Sequence, residues 1–200
     1  SYSITYDQVK QIEYAALLHD FGKVGVRENV LAKAKKLYDA QKEVLLGRFD
    51  LIRKSVEVER AEVTVRHLLD MPRAEALARI GAMDSEWAAR FREIDDDVEF
   101  ILKANEPTIL EQHGFERLAE IANRKYRDPR GVEQPYLLPN EVEALGISRG
   151  SLTRDDQNEI ESHVTHTYNF LRKIPWGRMF REVPEIAGAH HEMLDGTGYP

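Results

Sequence analysis

The feature that most constrains the fold is a pair of apolar seams in the middle of the chain, separated by a proline. Their residues recur at steps of three, four or seven: Leu45, Phe49, Ile52, Val56 and Val63 before the proline, and Trp87, Phe91, Ile94, Val98 and Ile101 after it. Apolar residues at this spacing lie along one side of a helix, and Pro72 is well placed as the first residue of a new helix. The pattern predicts two long helices that pack as an antiparallel hairpin, although the same residues also suit two ordinary core helices.

The segments before and after the seams also favour helices. Helical spacing, cap residues and breakers predict four further helices: from Tyr6 to about Leu18, from Phe115 to about Tyr126, from Thr153 to the stop at Ile174–Gly177, and from about Pro184 to Met193. Residues 128–140 hold three prolines and one glycine, which predicts a loop. The alternation typical of strands is almost absent. The predicted fold class is therefore all-α.

The composition limits the functions open to the chain. Its 200 residues carry 28 Lys and Arg against 35 Asp and Glu, a formal net charge of -7, which argues against binding of a nucleic-acid polymer. The absence of cysteine excludes disulfides and cysteine-ligated metals and fits a reducing compartment. No apolar run approaches the roughly 18 residues of a membrane span, and the start shows neither a signal peptide nor an initiator Met. We expect a cytoplasmic piece of a longer protein.

The histidines are the residues that most clearly suggest a functional site. Five of the seven histidines fall in three clusters: His19 followed by Asp20, His163 with His166, and His190 with His191. Neutral imidazole and carboxylate are typical ligands of Zn, Fe and Mn. Because neighbouring residues on a helix point about 100° apart, such a pair suits two adjacent ions, or one ion and a supporting side chain. Several helices that each contribute a pair would build a two-metal site in a helical bundle.

Spacing alone leaves other readings open, because any of these histidines could be an ordinary core or surface side chain. We expect that of His67 and His113, which have no neighbours of interest. His166 shares a helix face with His163 three residues earlier and is a secondary candidate for a metal ligand.

Three motifs follow one another in a fixed order: LLHDFGKVGV at 17–26, SLTRDDQNEIESHV at 151–164 and HHEMLDGTGYP at 190–200. Together they resemble the HD-GYP domain, a subgroup of the HD phosphohydrolase superfamily, whose signature Gly-Tyr-Pro is residues 198–200. Three ordered motifs are far more specific than any one of them. The resemblance covers roughly residues 7–31 and 151–200, and it predicts a discontinuous domain formed by residues 1–31 and 151–200.

The resemblance implies a helical bundle that holds two or three divalent ions, Fe or Mn, and hydrolyses cyclic di-GMP to pGpG or GMP. The metal ligands that it implies are His19, Asp20, His163, His190 and His191. Asp20 would also bridge the ions, and Lys23 would meet the substrate phosphate. The rim of the site, a turn implicated in partner contact, would be formed by Asp195, Gly196, Gly198, Tyr199 and Pro200.

The chemistry of phosphodiester hydrolysis agrees with such a site. Two ions can polarise the phosphoryl oxygens, steady the leaving alkoxide and hold a bridging hydroxide for in-line attack. The ammonium group of Lys23 adds charge stabilisation where negative charge develops. A carboxylate such as that of Asp20 offsets the repulsion between two cations.

The chain departs from the family pattern in three respects. Val164 stands where the family has proline and Thr167 where it has glycine, changes that we expect to affect helix shape more than ligation. Residues 32–150 take the place of a short linker and predict a helical insertion. Further ligands that the resemblance implies, from a helix before the His-Asp pair and from an aspartate after the Gly-Tyr-Pro turn, are not in this chain. We therefore expect weakened metal binding and little activity in this piece.

The insertion predicts partners as well as structure. Its coiled-coil-like surface suits dimerisation or regulation, and it could transmit a signal from an upstream sensor domain. A homodimer is expected, with a sensor domain and diguanylate cyclase domains as further partners in signal transduction.

Two rival functions remain. An HD phosphohydrolase could act on another cyclic dinucleotide or a nucleoside phosphate, and a catalytically silent signalling scaffold could keep the motif residues as relics. An oxygenase with a similar di-iron cluster is disfavoured by Lys23 and by the Gly-Tyr-Pro turn.

Overall fold

A computed structural model describes residues 4–200. Contacts within the chain divide it into two compact units. One combines Ser1–Lys33 with Leu152–Pro200, and the other is Ala34–Ser151. We call them the histidine unit and the hairpin unit. No helix among the described residues is long and apolar enough to cross a membrane.

Helices account for most of residues 4–200, and the predicted all-α class is confirmed. The helices are α1 (Tyr6–Leu18), α2 (Glu28–Leu31), α3 (Asp39–Asp70), α4 (Arg73–Ala104), α5 (Gln112–Asn123), α6 (Pro139–Leu145), α7 (Arg154–Leu171) and α8 (Val183–Gly188), with short 3₁₀ turns at Phe21–Gly25 and Arg178–Phe180. The described strands are β1 (Lys125–Arg127) and β2 (Glu133–Pro135), which pair antiparallel.

The two long helices of the hairpin unit are α3 and α4, and they run antiparallel. Ion pairs join Arg60 to Asp84 and Arg90 to Glu59, so residue numbers rise along one helix as they fall along the other. Both predicted seams lie in the core of this unit or pack against it. Pro72 is the residue directly before α4 rather than its first helical residue.

The loop predicted at residues 128–140 is wrong in part. Residues on both sides of Gly131 form the β1–β2 hairpin, and Pro139 opens α6. Tertiary contacts explain the helix, because Leu145 is fully buried and Glu141 accepts hydrogen bonds from Arg48 at 2.6 and 3.0 Å. Helix α5 begins at Gln112, three residues before the predicted start.

Helix α7 connects the parts of the histidine unit. Thr153, where the predicted helix begins, forms a capping box with Asp156 at the start of α7. The 3₁₀ turn and α2 lie against its side, while α1 packs with α8 around a core of Ala15, Leu171, Val183 and Ala187. The three histidine-bearing segments are thereby fixed to one scaffold.

The last helix is shorter than predicted and ends at Gly188 instead of Met193. A longer α-helix would bond the Ala187 carbonyl to the N–H of His191. That carbonyl instead accepts a hydrogen bond from the His190 ring at 2.7 Å. The chain therefore turns at His190 and His191, which the prediction had placed within the helix.

Candidate metal centre

Four imidazoles and one carboxylate come together in the histidine unit. His19 and Asp20 follow α1, His163 lies on α7, and His190 and His191 follow α8. The Nε2 atoms of His163 and His190 are 3.2 Å apart, and the ring centroids of His19 and His190 are 4.9 Å apart. Side chains more than 140 positions apart in the sequence thus form one cluster.

A shared local device orients three of these rings. The Nδ1 atoms of His19, His163 and His190 lie 2.7, 2.5 and 2.7 Å from a backbone carbonyl three residues earlier in the chain. A carbonyl only accepts hydrogen bonds, so each ring carries its proton on Nδ1. In the neutral ring, Nε2 then holds a lone pair directed towards the cluster, which is the form that binds a metal.

Asp20 presents its two oxygens to different sides of the cluster. Oδ1 lies 3.5 Å from His163 Nε2 and 4.0 Å from His190 Nε2. Oδ2 lies 3.2 Å from His19 Nε2 and accepts a hydrogen bond from Lys23 Nζ at 2.7 Å. This is the arrangement expected of a carboxylate that bridges two neighbouring cations.

The local environment favours an ionised Asp20 carboxylate and lowers the pKa of two of the histidine rings. Partial burial alone would raise the pKa of Asp20, but the Lys23 hydrogen bond and the nearby imidazoles hold it below its usual value. Burial lowers the pKa of His190, the Ala187 carbonyl opposes that shift, and His19 adds to it. Burial and the neighbouring His190 also lower the pKa of His191.

The donor atoms fit a metal ion by distance as well as by type. Two groups of three have their donor atoms within 4.8 Å of one another: His163, His190 and His191, and His19, Asp20 and His190. Two imidazole nitrogens bound to one ion at about 2.1 Å each are separated by about 3.0–3.4 Å for the usual coordination angles. The 3.2 Å between the Nε2 atoms of His163 and His190 matches that separation. The site can therefore hold a divalent metal.

The His19–Gly22 segment lies directly on α7. The Thr167 hydroxyl accepts a hydrogen bond from the Gly22 N–H at 2.8 Å and donates one to the His19 carbonyl at 2.9 Å. A Cβ on Gly22 would lie 1.9 Å from the His163 carbonyl oxygen. Only glycine allows this approach, which brings Asp20 within reach of His163.

The rim residues form a turn beside the cluster. The Asp195 carboxylate accepts hydrogen bonds from the N–H and hydroxyl of Thr197, which lower its pKa. Gly196 has φ +74°, a value that favours glycine. The Tyr199 ring stacks on the His191 ring with centroids 4.6 Å apart and 15° between the planes. Burial raises the pKa of Tyr199.

Two further rim residues complete this turn. Gly198 donates its N–H to Glu192 Oε1 at 3.0 Å. Pro200 follows Tyr199 through a cis peptide bond. The predicted rim thus lies against His191, and the Asp195 carboxylate is used within the turn.

The remaining histidines lie outside both donor groups. His166 is exposed, and its ring packs against the backbone of Gly25. His67 and His113 belong to the hairpin unit, and neither is a member of a donor group found among residues 4–200. Sequence reasoning gave no supporting role to Thr167 or Glu192. Thr167 was noted only as a departure from the family pattern, although it lies one turn after His163.

Comparison with known proteins finds a family match for the C-terminal part of the chain. Residues 135–200, a third of the chain, match the family model of the HD domain, which confirms the predicted resemblance to the HD superfamily. The match includes His163, His190 and His191. The His19–Asp20 pair lies before it.

One curated relative is the 3'3'-cGAMP-specific phosphodiesterase 3 of Vibrio cholerae. It is 35% identical to this chain over an alignment of 69 residues, which covers 32% of this chain and 14% of that protein. The chain therefore spans only 14% of the length of this relative. No solved structure matches the chain.

Proposed function

We propose that the protein is a metal-dependent phosphodiesterase that hydrolyses cyclic di-GMP to pGpG or GMP within a bacterial signalling protein. The observation that carries the proposal is the convergence of three Nε2 atoms, from His19, His163 and His190, on the two oxygens of Asp20. The HD-domain match and the curated relative support the same class of reaction.

The two groups of donor atoms suggest which side chains bind each metal ion. We propose that His163, His190 and His191 hold one ion and that His19 with Asp20 holds a neighbouring one, with His190 adjacent to both. Two or three bound Fe or Mn ions would supply Lewis-acid polarisation of the phosphoryl oxygens and a water of lowered pKa. Asp20 offsets the positive charge of the site.

The exposure of the side chains suggests where substrate enters. The side chain of His163 is 1% exposed, whereas those of Asp20 and Lys23 are 40% and 43% exposed. Substrate phosphate would therefore approach from the side of Asp20 and Lys23. The Lys23 ammonium, 2.7 Å from Asp20 Oδ2, would pair with a phosphoryl oxygen and stabilise the charge that develops on it.

A second substrate has support from the comparison. The curated relative is named for 3'3'-cGAMP, a cyclic dinucleotide that differs from cyclic di-GMP in one base. Parallel turnover assays with cyclic di-GMP, 3'3'-cGAMP and a deoxynucleoside triphosphate decide between these substrates. Preference for the triphosphate would contradict the cyclic dinucleotide class.

The test of the enzyme against a silent scaffold uses the full-length protein. Wild type and Asp20→Ala are compared for bound Fe and Mn by elemental analysis and for turnover of cyclic di-GMP. We expect Asp20→Ala to lose metal and turnover together. Asp155→Ala is the matched control, because Asp155 is an exposed acid in the first turn of α7 and should leave both unchanged. Equal metal content in wild type and Asp20→Ala would favour the scaffold.

We also propose that the hairpin unit is a helical insertion that mediates homodimerisation or regulation. Its long helices expose apolar side chains such as Val58, Val65 and Leu69, which suit a contact between protomers. Sedimentation of the full-length protein tests this proposal. A monomer at micromolar concentration would contradict it.

A further inference from the structure

One buried hydroxyl connects the His19–Asp20 pair to the helix that carries His163. Thr167 lies on α7 one turn after His163 and is 0% exposed. Its Oγ1 accepts from the Gly22 N–H at 2.8 Å and donates to the His19 carbonyl at 2.9 Å. A single side chain thus holds both ends of the segment from His19 to Gly22.

The position of this segment decides where the Asp20 carboxylate lies. Asp20 is between the two bonded residues, and its Oδ1 is 3.5 Å from His163 Nε2. The Asp20 side chain is 40% exposed, and its Oδ2 bonds Lys23, the residue directly after that segment. The contact between Gly22 and α7 and the Thr167 hydroxyl therefore set the distance from Asp20 to His163.

We propose that Thr167 is a positioning residue for the metal centre, which fixes the His19–Asp20 backbone so that both side chains meet His163 and His190. The proposal rests on the metal-dependent function proposed above. The hydrogen bonds of the Thr167 hydroxyl go to the backbone that carries two of the ligands, and Thr167 acts through that backbone. Polar partners that orient metal ligands typically contribute 10–100-fold to metal affinity.

Loss of the hydroxyl would leave two polar backbone groups in a buried place. Without Oγ1, the Gly22 N–H and the His19 carbonyl would need new partners, because a buried polar group without a hydrogen bond destabilises the fold. The segment can reduce that cost by moving away from α7 to admit water. Such a movement would separate Asp20 and His19 from His163.

The test compares three variants of the full-length protein by titration of the metal-free form with Co²⁺. Thr167→Val keeps the shape and removes the hydroxyl, Thr167→Ser keeps the hydroxyl, and Thr165→Val changes an exposed threonine on the same helix. We expect Thr167→Val to bind Co²⁺ about 10–100-fold more weakly with an altered visible absorption spectrum. Thr167→Ser and Thr165→Val should stay within about threefold of wild type.

Stability and turnover separate the possible outcomes. A residue with only a structural role would lower the melting temperature of the metal-free Thr167→Val variant without changing its Co²⁺ affinity or spectrum, and that result would overturn the proposal. Affinity that Thr167→Ser fails to restore would also overturn it. If wild type binds Co²⁺ but cleaves no cyclic dinucleotide, the proposed function fails while the positioning role stands. If wild type binds no metal, both fail.

Discussion

Gly22→Ala tests the close approach on which the site geometry depends. The added Cβ would lie 1.9 Å from the His163 carbonyl oxygen and 2.6 Å from the Thr167 backbone nitrogen. Both contacts are with the backbone of α7, so rotation of a side chain cannot relieve them. The 3₁₀ turn that contains Gly22 must move away from the helix.

The structure gives the size of the effect. Movement of the turn breaks the two hydrogen bonds of the Thr167 hydroxyl, each of which contributes about 1 kcal/mol. The strain of an inserted methyl group in a packed contact adds about 1–3 kcal/mol. We expect the free energy of unfolding of the histidine unit to fall by about 3–5 kcal/mol, against a typical total of about 5–15 kcal/mol.

The two tryptophans allow this unit to be followed by itself. Trp176 packs against the core of the histidine unit, and Trp87 lies in the core of the hairpin unit. In a Trp87→Phe background, fluorescence during urea unfolding reports on the histidine unit. Gly177→Ala is the matched control, because nothing lies within 4 Å of its added Cβ, and it should change stability by no more than about 0.5 kcal/mol. Equal midpoints for Gly22→Ala and Gly177→Ala would refute the reasoning.

Two further predictions concern the hairpin unit. Asp97 is 0% exposed and accepts hydrogen bonds from Arg117 and Arg124 at 2.6 Å each, so Asp97→Asn should lower the free energy of unfolding by about 2–4 kcal/mol. Asp95→Asn, in an exposed ion pair, should cost less than about 1 kcal/mol, and similar urea midpoints for the two would contradict this prediction. Burial lowers the pKa of Lys36. The unfolded state therefore keeps the lysine proton to higher pH than the folded state does. We expect the stability of wild type to rise relative to that of Lys36→Met as pH increases from neutral into the alkaline range. Urea unfolding of both proteins from pH 7 to pH 10 measures this. A stability difference that does not change with pH would contradict the lowered pKa of Lys36.

The sequence was informative where the signal was long and periodic. The two seams, Leu45 to Val63 and Trp87 to Ile101, predicted α3 and α4, because five apolar residues at helical spacing specify a helix face without knowledge of its neighbours. Helix α6 was missed because it is short and begins at Pro139 in a stretch rich in turn residues. What stabilises it is the burial of Leu145 and an ion pair between Glu141 and Arg48. Neither is visible in a local window.

Some residues of the candidate site could likewise be predicted from the sequence, and others could not. His19, His163 and His190 could be proposed from residue type and order alone, since few other side chains suit a divalent metal. Thr167 could not be assigned a role, because its partners lie 145 and 148 positions away in the chain. In the sequence it was only a departure from the family pattern that should alter helix shape. In the structure, its hydroxyl joins α7 to the His19–Gly22 segment through two hydrogen bonds.

Hydrogen bonding in the cluster also indicates that its acceptor atoms are positioned to bind a cation. His163 and His190 each place the ring proton on Nδ1, because each bonds a backbone carbonyl there. When both rings are neutral, their Nε2 atoms, 3.2 Å apart, face each other with lone pairs, and two acceptors at that distance repel. Asp20 adds a third acceptor at 3.5 Å from His163. Acceptors alone cannot satisfy one another, and a positive centre among them turns each repulsion into a bond. A fold that holds three acceptors together through backbone hydrogen bonds is therefore preorganised for a metal ion, and a divalent ion can satisfy all three where a proton satisfies at most two.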